Sequence, residues 1–206
     1  MIFKSELIAN LIENPDPNDP LVIVPRPNLK EMKEGGSASV DLRLGTWFVT
    51  PRQARMSHLD IIKGKTTQSQ FTKTSYVPFG SEYYLHPRSF VLGVTLEWVR
   101  VPKIFAGYIV GKSSWGRCGL IIATAAGVHP GFMGCLTLEL SNAGEVPIPV
   151  IPGMRICQLF FHKVEQSQGT DTVDQSGFVG QRQPILGKIE LDEVAQRLSK
   201  AYKVSQ

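Results

Sequence analysis

The feature that most constrains this chain is a succession of short apolar runs between Tyr83 and Val164, each broken by Gly, Pro or Asn. The runs include YYLHP, SFVLGVTLEWV, IFAGYIV, LIIATAAG, CLTLELSN, VPIPVI and RICQLFFHKV. Turn-forming residues at such short intervals are typical of strands that are joined by tight turns. The spacing therefore predicts a mainly β fold, either a sandwich or a barrel.

The segments before this region have other patterns. Residues 4–13 place apolar side chains at helical spacing, and three prolines follow to stop the predicted helix. Residues 21–25 predict a strand, and residues 28–36 are a polar connection. Residues 37–50 alternate between apolar and polar side chains, as a half-buried strand does. Residues 51–75 are polar and favour an exposed loop or hairpin.

The end of the chain is less regular. Residues 166–184 are polar and contain glycine, which favours a mobile arm, and residues 191–202 predict a short amphipathic helix. We expect a single domain over residues 1–206. Its N-terminal helix and arm occupy 1–20, and its C-terminal arm and helix occupy 166–206.

Composition narrows the class of function. The 206 residues are 42% hydrophobic, enough for one full core. Lys and Arg total 22 against 18 acidic residues, and this net charge of +4 suits anionic small molecules but is too small and scattered to indicate nucleic-acid binding. No stretch approaches the length of a membrane span, and the start, MIFKSELIAN, lacks the apolar core of a signal peptide. The sequence thus predicts a cytoplasmic protein without membrane contact.

The cysteines and histidines form no recognisable metal-binding pattern. Cys118, Cys135 and Cys157 each lie in an apolar run without a CxxC motif, which predicts buried, reduced thiols. The four histidines are far apart and form neither HxH nor HExxH. We therefore expect no zinc site built from protein ligands.

The stretch GYIVGKSSWGR, residues 107–117, contains a Gly-Lys-Ser sequence that invites comparison with a nucleotide-binding P-loop. That loop needs four residues between its first glycine and the Gly-Lys pair, but only three separate Gly107 from Gly111. Two interpretations stay open from the residues alone: a hairpin turn with solvated charges, or a turn that binds phosphate. For phosphate binding, Ser113 and Ser114 would supply hydroxyl donors and Lys112 a compact positive charge. Arg117 would supply a planar guanidinium, and Gly116 would let the backbone approach the phosphate closely.

Three segments in order carry a resemblance to a known family: GKSSWGRCGL, AAGVHPGFMGCLTLELSN and PGMRICQLFF. They resemble the trimeric dUTPase-like superfamily and, within it, the dCTP deaminases. The segments SASVDLRLG and YYLHPRSFVLGVTLEWVRVP are similar to the N-terminal part of the same enzymes. The resemblance runs through residue 184. It implies a mainly β, dUTPase-like distorted barrel or jelly-roll-like fold with short terminal helices, and a homotrimer with active sites at the subunit interfaces.

The resemblance also implies a reaction, the hydrolytic deamination of dCTP to dUTP and ammonia. Zinc-dependent deaminases carry HxE and PCxxC, and neither pattern occurs here. The family instead uses a strand glutamate as general base, matched by Glu139 in LTLEL. From strand alternation alone this carboxylate could simply face solvent. By the same correspondence Ser113 orients the attacking water, Arg117 neutralises charge, and Mg²⁺ is bound mainly through the triphosphate.

The family's substrate-binding positions fall on a defined set of residues: Lys112, Ser113, Ser114, Trp115, Gly116, Arg117, Ala126, His129, Thr137, Leu138, Phe178 and Gln181. This chain departs from the family at three positions. Lys112 replaces an arginine, His129 replaces an aspartate that contacts the deoxyribose, and Gly177 replaces a lysine. Two alternatives therefore stay open: a bifunctional dCTP deaminase/dUTPase that forms dUMP, and a non-catalytic dUTPase-like trimer that binds nucleotides.

Overall fold

A computed structural model describes residues 1–52, 71–123, 127–165, 180–184, 187, 193–194 and 197. The chain divides into two compact units, one of Met1–Thr50 with Thr74–Ile185 and one of Pro51–Lys73 with Leu186–Gln206. The single domain expected over 1–206 stays a prediction. Most of the predicted arm and of the C-terminal helix lie outside the described residues.

The described residues form three short helices. Helix α1 (Ser5–Glu13) matches the helix predicted over residues 4–13 and buries one apolar face against the core. Helix α2 (Leu29–Glu34) lies in the connection where the sequence predicted no helix, and the Asn28 side chain caps it by accepting the Glu31 backbone N–H at 3.3 Å. Helix α3 (Ser113–Gly116) is a single turn within GKSSWGR, where a hairpin turn was one of the two expectations.

About half of the remaining described residues lie in strands: β1 (Val22–Val24), β2 (Val40–Arg43), β3 (Trp47–Pro51), β4 (Thr72–Tyr76), β5 (Tyr83–Leu85), β6 (Phe90–Arg100), β7 (Phe105–Gly111), β8 (Leu120–Ile122), β9 (Gly127–Val128), β10 (Met133–Asn142), β11 (Ile148–Val150) and β12 (Arg155–Lys163). One sheet has the order β4-β3-β6-β10-β8, with β1 also paired to β6. A second has the order β2-β12-β7-β9, and β11 pairs with β5. The mainly β prediction is confirmed, with the described strands in three sheets rather than one closed barrel.

A single hydrophobic core joins these sheets. Leu138 and Leu140 of β10 and Leu159 and Phe161 of β12 are fully buried in it, and each such side chain contributes about 1.5–3 kcal/mol on transfer from water. Because side chains alternate along a strand, burial of the even-numbered leucines of β10 places Glu139 on the opposite face.

The three cysteines are free thiols, but they differ in exposure. Cys157 is buried and Cys135 half-buried, and burial raises the pKa of Cys157 to about 12 and also raises the pKa of Cys135. The expectation of a buried thiol is wrong for Cys118, which is exposed because it lies in the surface turn after α3. Among the described residues, no helix is long and apolar enough to cross a membrane.

Candidate functional site

The α3 turn, defined here as residues 112–117, is anchored to strand β12. The backbone N–H of Lys112 donates to the Ile156 carbonyl at 3.1 Å, and the Trp115 indole N–H donates to the Arg155 carbonyl at 3.2 Å. The Trp115 ring also packs against the core. These contacts hold the backbone while four residues stay exposed at the surface: Ser113, Ser114, Gly116 and Arg117. Trp115 thus supports the turn from beneath.

The ammonium group of Lys112 lies 2.7 Å from Oδ2 of Asp41 on β2. Oδ1 of the same carboxylate accepts the Gln158 side-chain N–H at 3.2 Å, and Arg155 Nη1 approaches Oδ2 at 3.4 Å. Glu31 of α2 holds the Arg155 guanidinium with two bonds, at 2.5 and 2.8 Å. Four residues around the turn were not predicted from the sequence, because no local spacing links them to it: Asp41, Gln158, Arg155 and Glu31.

Glu139 lies on an interior strand, β10, which is paired to β6 on one side and to β8 at the edge of the sheet on the other. It is half-buried, pairs with Leu92 on β6, and its carbonyl accepts the Ala123 N–H at 2.9 Å. Thr137 shares its face of β10, whereas the Leu138 side chain is fully buried in the core. Only the backbone of Leu138 is therefore available to a ligand on the Glu139 face.

A register shift precedes Thr137 on β10. Cys135 pairs with Trp98 and Thr137 with Val94, so that three residues of β6 lie opposite Leu136. The Thr95 hydroxyl fills this gap: it accepts the Leu136 N–H at 2.9 Å and donates to the Glu97 carbonyl at 2.8 Å. The Leu136 N–H therefore keeps a hydrogen-bond partner at the irregularity, just before Thr137 and Glu139.

The Glu97 carboxylate is buried beside this irregularity. Oε2 accepts the backbone N–H of Arg43 at 2.8 Å, and Oε1 lies 3.4 Å from Arg43 Nε without a hydrogen bond to any described residue. Burial raises the pKa of Glu97, and the bond and charge of Arg43 oppose that rise. The group links β6 to β2 across the core.

The end of the predicted mobile arm is fixed to β10. Gly180 N–H donates to the Met133 carbonyl at 2.6 Å, and Cys135 N–H donates to the Gln181 carbonyl at 2.9 Å. A Cβ at Gly134, whose φ is +149°, would lie 3.3 Å from the Gly180 nitrogen. These bonds bring Gln181 to the strand that carries Glu139, and mobility of the arm over residues 166–184 stays a prediction.

The other expected ligands are less defined. His129 is exposed at the end of β9, and its carbonyl accepts the Phe132 N–H at 3.1 Å. Ala126 and Phe178 lie outside the described residues. Within the described part of the chain, no three His, Cys, Asp or Glu side chains lie close enough together to hold a metal ion.

The structure thus presents two candidate half-sites. One is the α3 turn, and the other is the face of β10 that carries Thr137 and Glu139, with the backbone of Gln181 bonded to the same strand. In the described ranges, no hydrogen bond or ion pair joins Glu139 to Ser113, Ser114 or Arg117. The charge of Lys112 is matched by Asp41, whereas Arg117 has no ion pair with any described residue.

Comparison with known proteins extends over most of the chain. The dCTP deaminase-like family matches residues 18–164. A protein of Dictyoglomus turgidum described as "dCTP deaminase, dUMP-forming" is 37% identical over 158 residues, 75% of this chain and 80% of its own length. A "dCTP deaminase" of Natronomonas pharaonis is 38% identical over 160 residues, with the same coverage of 75% and 80%.

The fold is also found among solved structures. The crystal structure of 2'-deoxycytidine 5'-triphosphate deaminase from Agrobacterium tumefaciens matches with a TM-score of 0.58 at 20% identity. The match covers 79% of this chain and 48% of that one. At 20% identity, this match supports a shared fold and nothing beyond it.

Proposed function

Because this chain belongs to the dCTP deaminase-like family, we propose that it is an enzyme that deaminates dCTP hydrolytically. The observation that carries the proposal is the family match over residues 18–164, which contains the α3 turn, Thr137 and Glu139. Within it, Glu139 stands half-buried on a central strand, and the α3 turn exposes two hydroxyls and an arginine. These are the groups that water activation and phosphate binding require.

Glu139 is the general base in this mechanism. Water attacks C4 of cytosine, and the C4–O bond forms as the C4–N3 double bond opens; the Glu139 carboxylate accepts one water proton and passes it to N3. Glu139 then takes the proton of the C4 hydroxyl and passes it to the exocyclic amine, so that C4=O forms, the C4–N bond to the amine breaks and ammonia leaves. dCTP and water thus give dUTP and ammonia. A carboxylate on a central strand suits this role because main-chain bonds on both sides limit its movement.

The α3 turn binds the triphosphate. Hydroxyls of Ser113 and Ser114 and the guanidinium of Arg117 supply donors that match phosphate oxygens, with Ser113 also orienting the water. The exposed side chains of the turn are hydroxyls and a cation rather than carboxylates. This donor set suits a triphosphate that arrives with its own Mg²⁺, held mainly by phosphate oxygens and water.

The two half-sites belong to different subunits of a homotrimer in this proposal. Glu139 of one chain faces Ser113 and Arg117 of its neighbour, which accounts for the lack of any direct bond between these residues within the described chain. Light scattering should report a mass three times that of the chain. A monomer with full activity would contradict a shared site.

A second candidate function adds a phosphate-cleavage step. The name of the Dictyoglomus turgidum relative includes the words "dUMP-forming", which favours dUMP and pyrophosphate as final products. At the position expected to contact the sugar, this chain has His129, an exposed imidazole rather than a carboxylate that could activate a second water. We therefore keep dUTP and ammonia as the main products.

One experiment tests these proposals together. The purified protein is incubated with Mg²⁺ and a panel of deoxynucleotides, and products are separated by chromatography. Conversion of dCTP to dUTP and ammonia supports deamination, and stoichiometric pyrophosphate establishes the dUMP-forming reaction. Binding of nucleotides without any product would leave the non-catalytic trimer. Truncation before Ser176 should raise KM and lower kcat, since it removes Gln181 from β10.

A further inference from the structure

The ammonium of Lys112 is already bound to a carboxylate, and this bears on how it can serve a nucleotide. We propose that Asp41 is a positioning residue for the triphosphate: it holds the Lys112 side chain in place beside the α3 turn. The inference rests on the proposed function and adds a residue to it. Asp41 does not touch the nucleotide in this arrangement and acts only through Lys112.

The pairing follows from the register of three strands. Gln158 of β12 pairs with Asp41 on one side and with Val110 of β7 on the other. Since side chains two residues apart share a face, Lys112 leaves the end of β7 on the same face as Asp41 and Gln158. Neighbouring strands are about 4.8 Å apart, so β7 and β2, which lie on either side of β12, are about 10 Å apart. The side chains of Lys112 and Asp41 together span that distance and meet.

The Asp41 carboxylate is itself held in one orientation. Gln158 donates one amide hydrogen to Oδ1, at 3.2 Å, and the other to Ser39 Oγ, at 3.1 Å. Oδ2 then accepts from Lys112 at 2.7 Å, with Arg155 Nη1 farther away at 3.4 Å. The side chains of Lys112 and Asp41 are only 27% and 24% exposed, so that solvent screens this pair less than it screens a typical surface ion pair.

A fixed lysine differs from a free one in what it loses on binding. A lysine side chain has many rotamers, and an untethered side chain would lose this conformational entropy when it binds a phosphate. The bond to Asp41 restricts the rotamers beforehand and occupies one of three ammonium hydrogens, leaving two for phosphate oxygens. Asp41 thus favours triphosphate binding although its own charge repels phosphate.

This opposition in sign makes the proposal testable. If Asp41 acted only through its charge, Asp41→Asn would tighten dCTP binding. If it positions Lys112, the same change should weaken binding about tenfold, the usual scale for loss of a charge-assisted hydrogen bond. Glu31→Gln is the matched control, because Glu31 holds Arg155, lies close enough to feel the charge of Lys112, and makes no bond to Lys112.

The dissociation constant for dCTP is measured by calorimetry in the Glu139→Gln background, with melting temperatures to check folding. We expect Asp41→Asn to weaken binding about tenfold and Glu31→Gln to leave it within about twofold. Lys112→Met should lose at least as much as Asp41→Asn. Adding Asp41→Asn to Lys112→Met should then cost nothing more, because the two act as one unit.

Tighter or unchanged binding by Asp41→Asn would overturn the proposal, and so would additive losses in the double variant. If Asp41→Asn failed to fold, Lys112→Met alone would decide, since unchanged dCTP binding would show that the ammonium is not used. Failure of the proposed function gives a different result. The parent protein would then bind dCTP without forming product, while the differences in dissociation constant between the variants would persist.

Discussion

The α3 turn and strand β10 carry the two halves of the proposed chemistry, and the chain holds them in opposite ways. Strand β10 is ten residues long, alternates between buried and exposed side chains, and is bonded to β6 and β8 along its backbone. The α3 turn has no buried side chain. It is held by residues distant in sequence, through the bonds of Lys112 to Asp41 and of Trp115 to Arg155.

The difference separates two kinds of functional position. On a central strand, local alternation decides where a side chain points, so that Glu139 depends little on any single remote partner. In a one-turn helix, remote partners decide both backbone and side-chain placement. Changes on β10 should therefore alter the chemical step, and changes at the α3 turn or its supports should alter binding.

The largest effect should come from Glu139→Gln on β10. This change preserves shape and removes the base, so kcat for dCTP should fall about a thousandfold while the dissociation constant changes little. Glu145→Gln, an exposed change of equal charge just after β10, serves as control. Steady-state ammonia release measures kcat. Near-parental turnover by Glu139→Gln would remove the distinction between the two regions.

Arg117→Ala should have the next largest effect and act mainly on binding. Loss of a planar donor for phosphate should lower kcat/KM about 10- to 100-fold, with most of the change in KM. Lys163→Ala, which removes an exposed cation at the end of β12, is the control. A loss confined to kcat would place Arg117 in the chemical step instead.

The same two variants test whether the regions meet between subunits. Mixed and reassembled trimers of Glu139→Gln and Arg117→Ala chains should regain part of the parental activity, because some interfaces then combine an intact β10 with an intact α3 turn. Each variant refolded alone is the control. No recovery in verified mixed trimers would place both half-sites in one chain.

A third prediction concerns the exit of the α3 turn. Gly119 has φ of +91°, and an added Cβ would lie 3.0 Å from the Gly144 nitrogen, so Gly119→Ala should lower the free energy of unfolding by about 1–3 kcal/mol. Gly127→Ala is the control, since no atom of the described residues lies within 4 Å of its added Cβ and its φ is not positive. Urea unfolding measures both. Equal losses would show that the contact with Gly144 is unimportant.

The smallest effect concerns Glu97, whose buried carboxyl links β6, the neighbour of β10, to β2. Burial raises its folded-state pKa above its ordinary value of 4.5. Below pH 4.5 the carboxyl is protonated in both states; as pH rises through the folded pKa, ionisation in the core costs stability. The Tm of Glu97→Gln minus that of the parent should therefore increase from pH 4 towards neutrality. A difference that stays constant with pH would contradict this.

The sequence predicted those features that depend on local periodicity. Helix α1 and the strand that carries Glu139 were predicted from apolar spacing, and both occur. Helix α2 was missed because Met32 is its only buried residue, which leaves no apolar stripe to recognise. Asp41 was missed as a partner of Lys112 because 71 residues separate them, and only the order of β2, β12 and β7 brings them together.

The row of Asp41, Gln158 and Lys112 also limits how sequences of this kind can diverge. A neutral residue at 41 leaves a lysine at 112 without an anchor, whereas an arginine at 112 brings a stiffer donor of its own. We therefore expect substitutions at positions 41, 112 and 158 to occur together in related sequences rather than one at a time. For the same reason, grafting the α3 turn alone into another protein of this fold would transfer its sequence without the residues that hold it in place. The matching residues of β2 and β12 would have to be grafted with it.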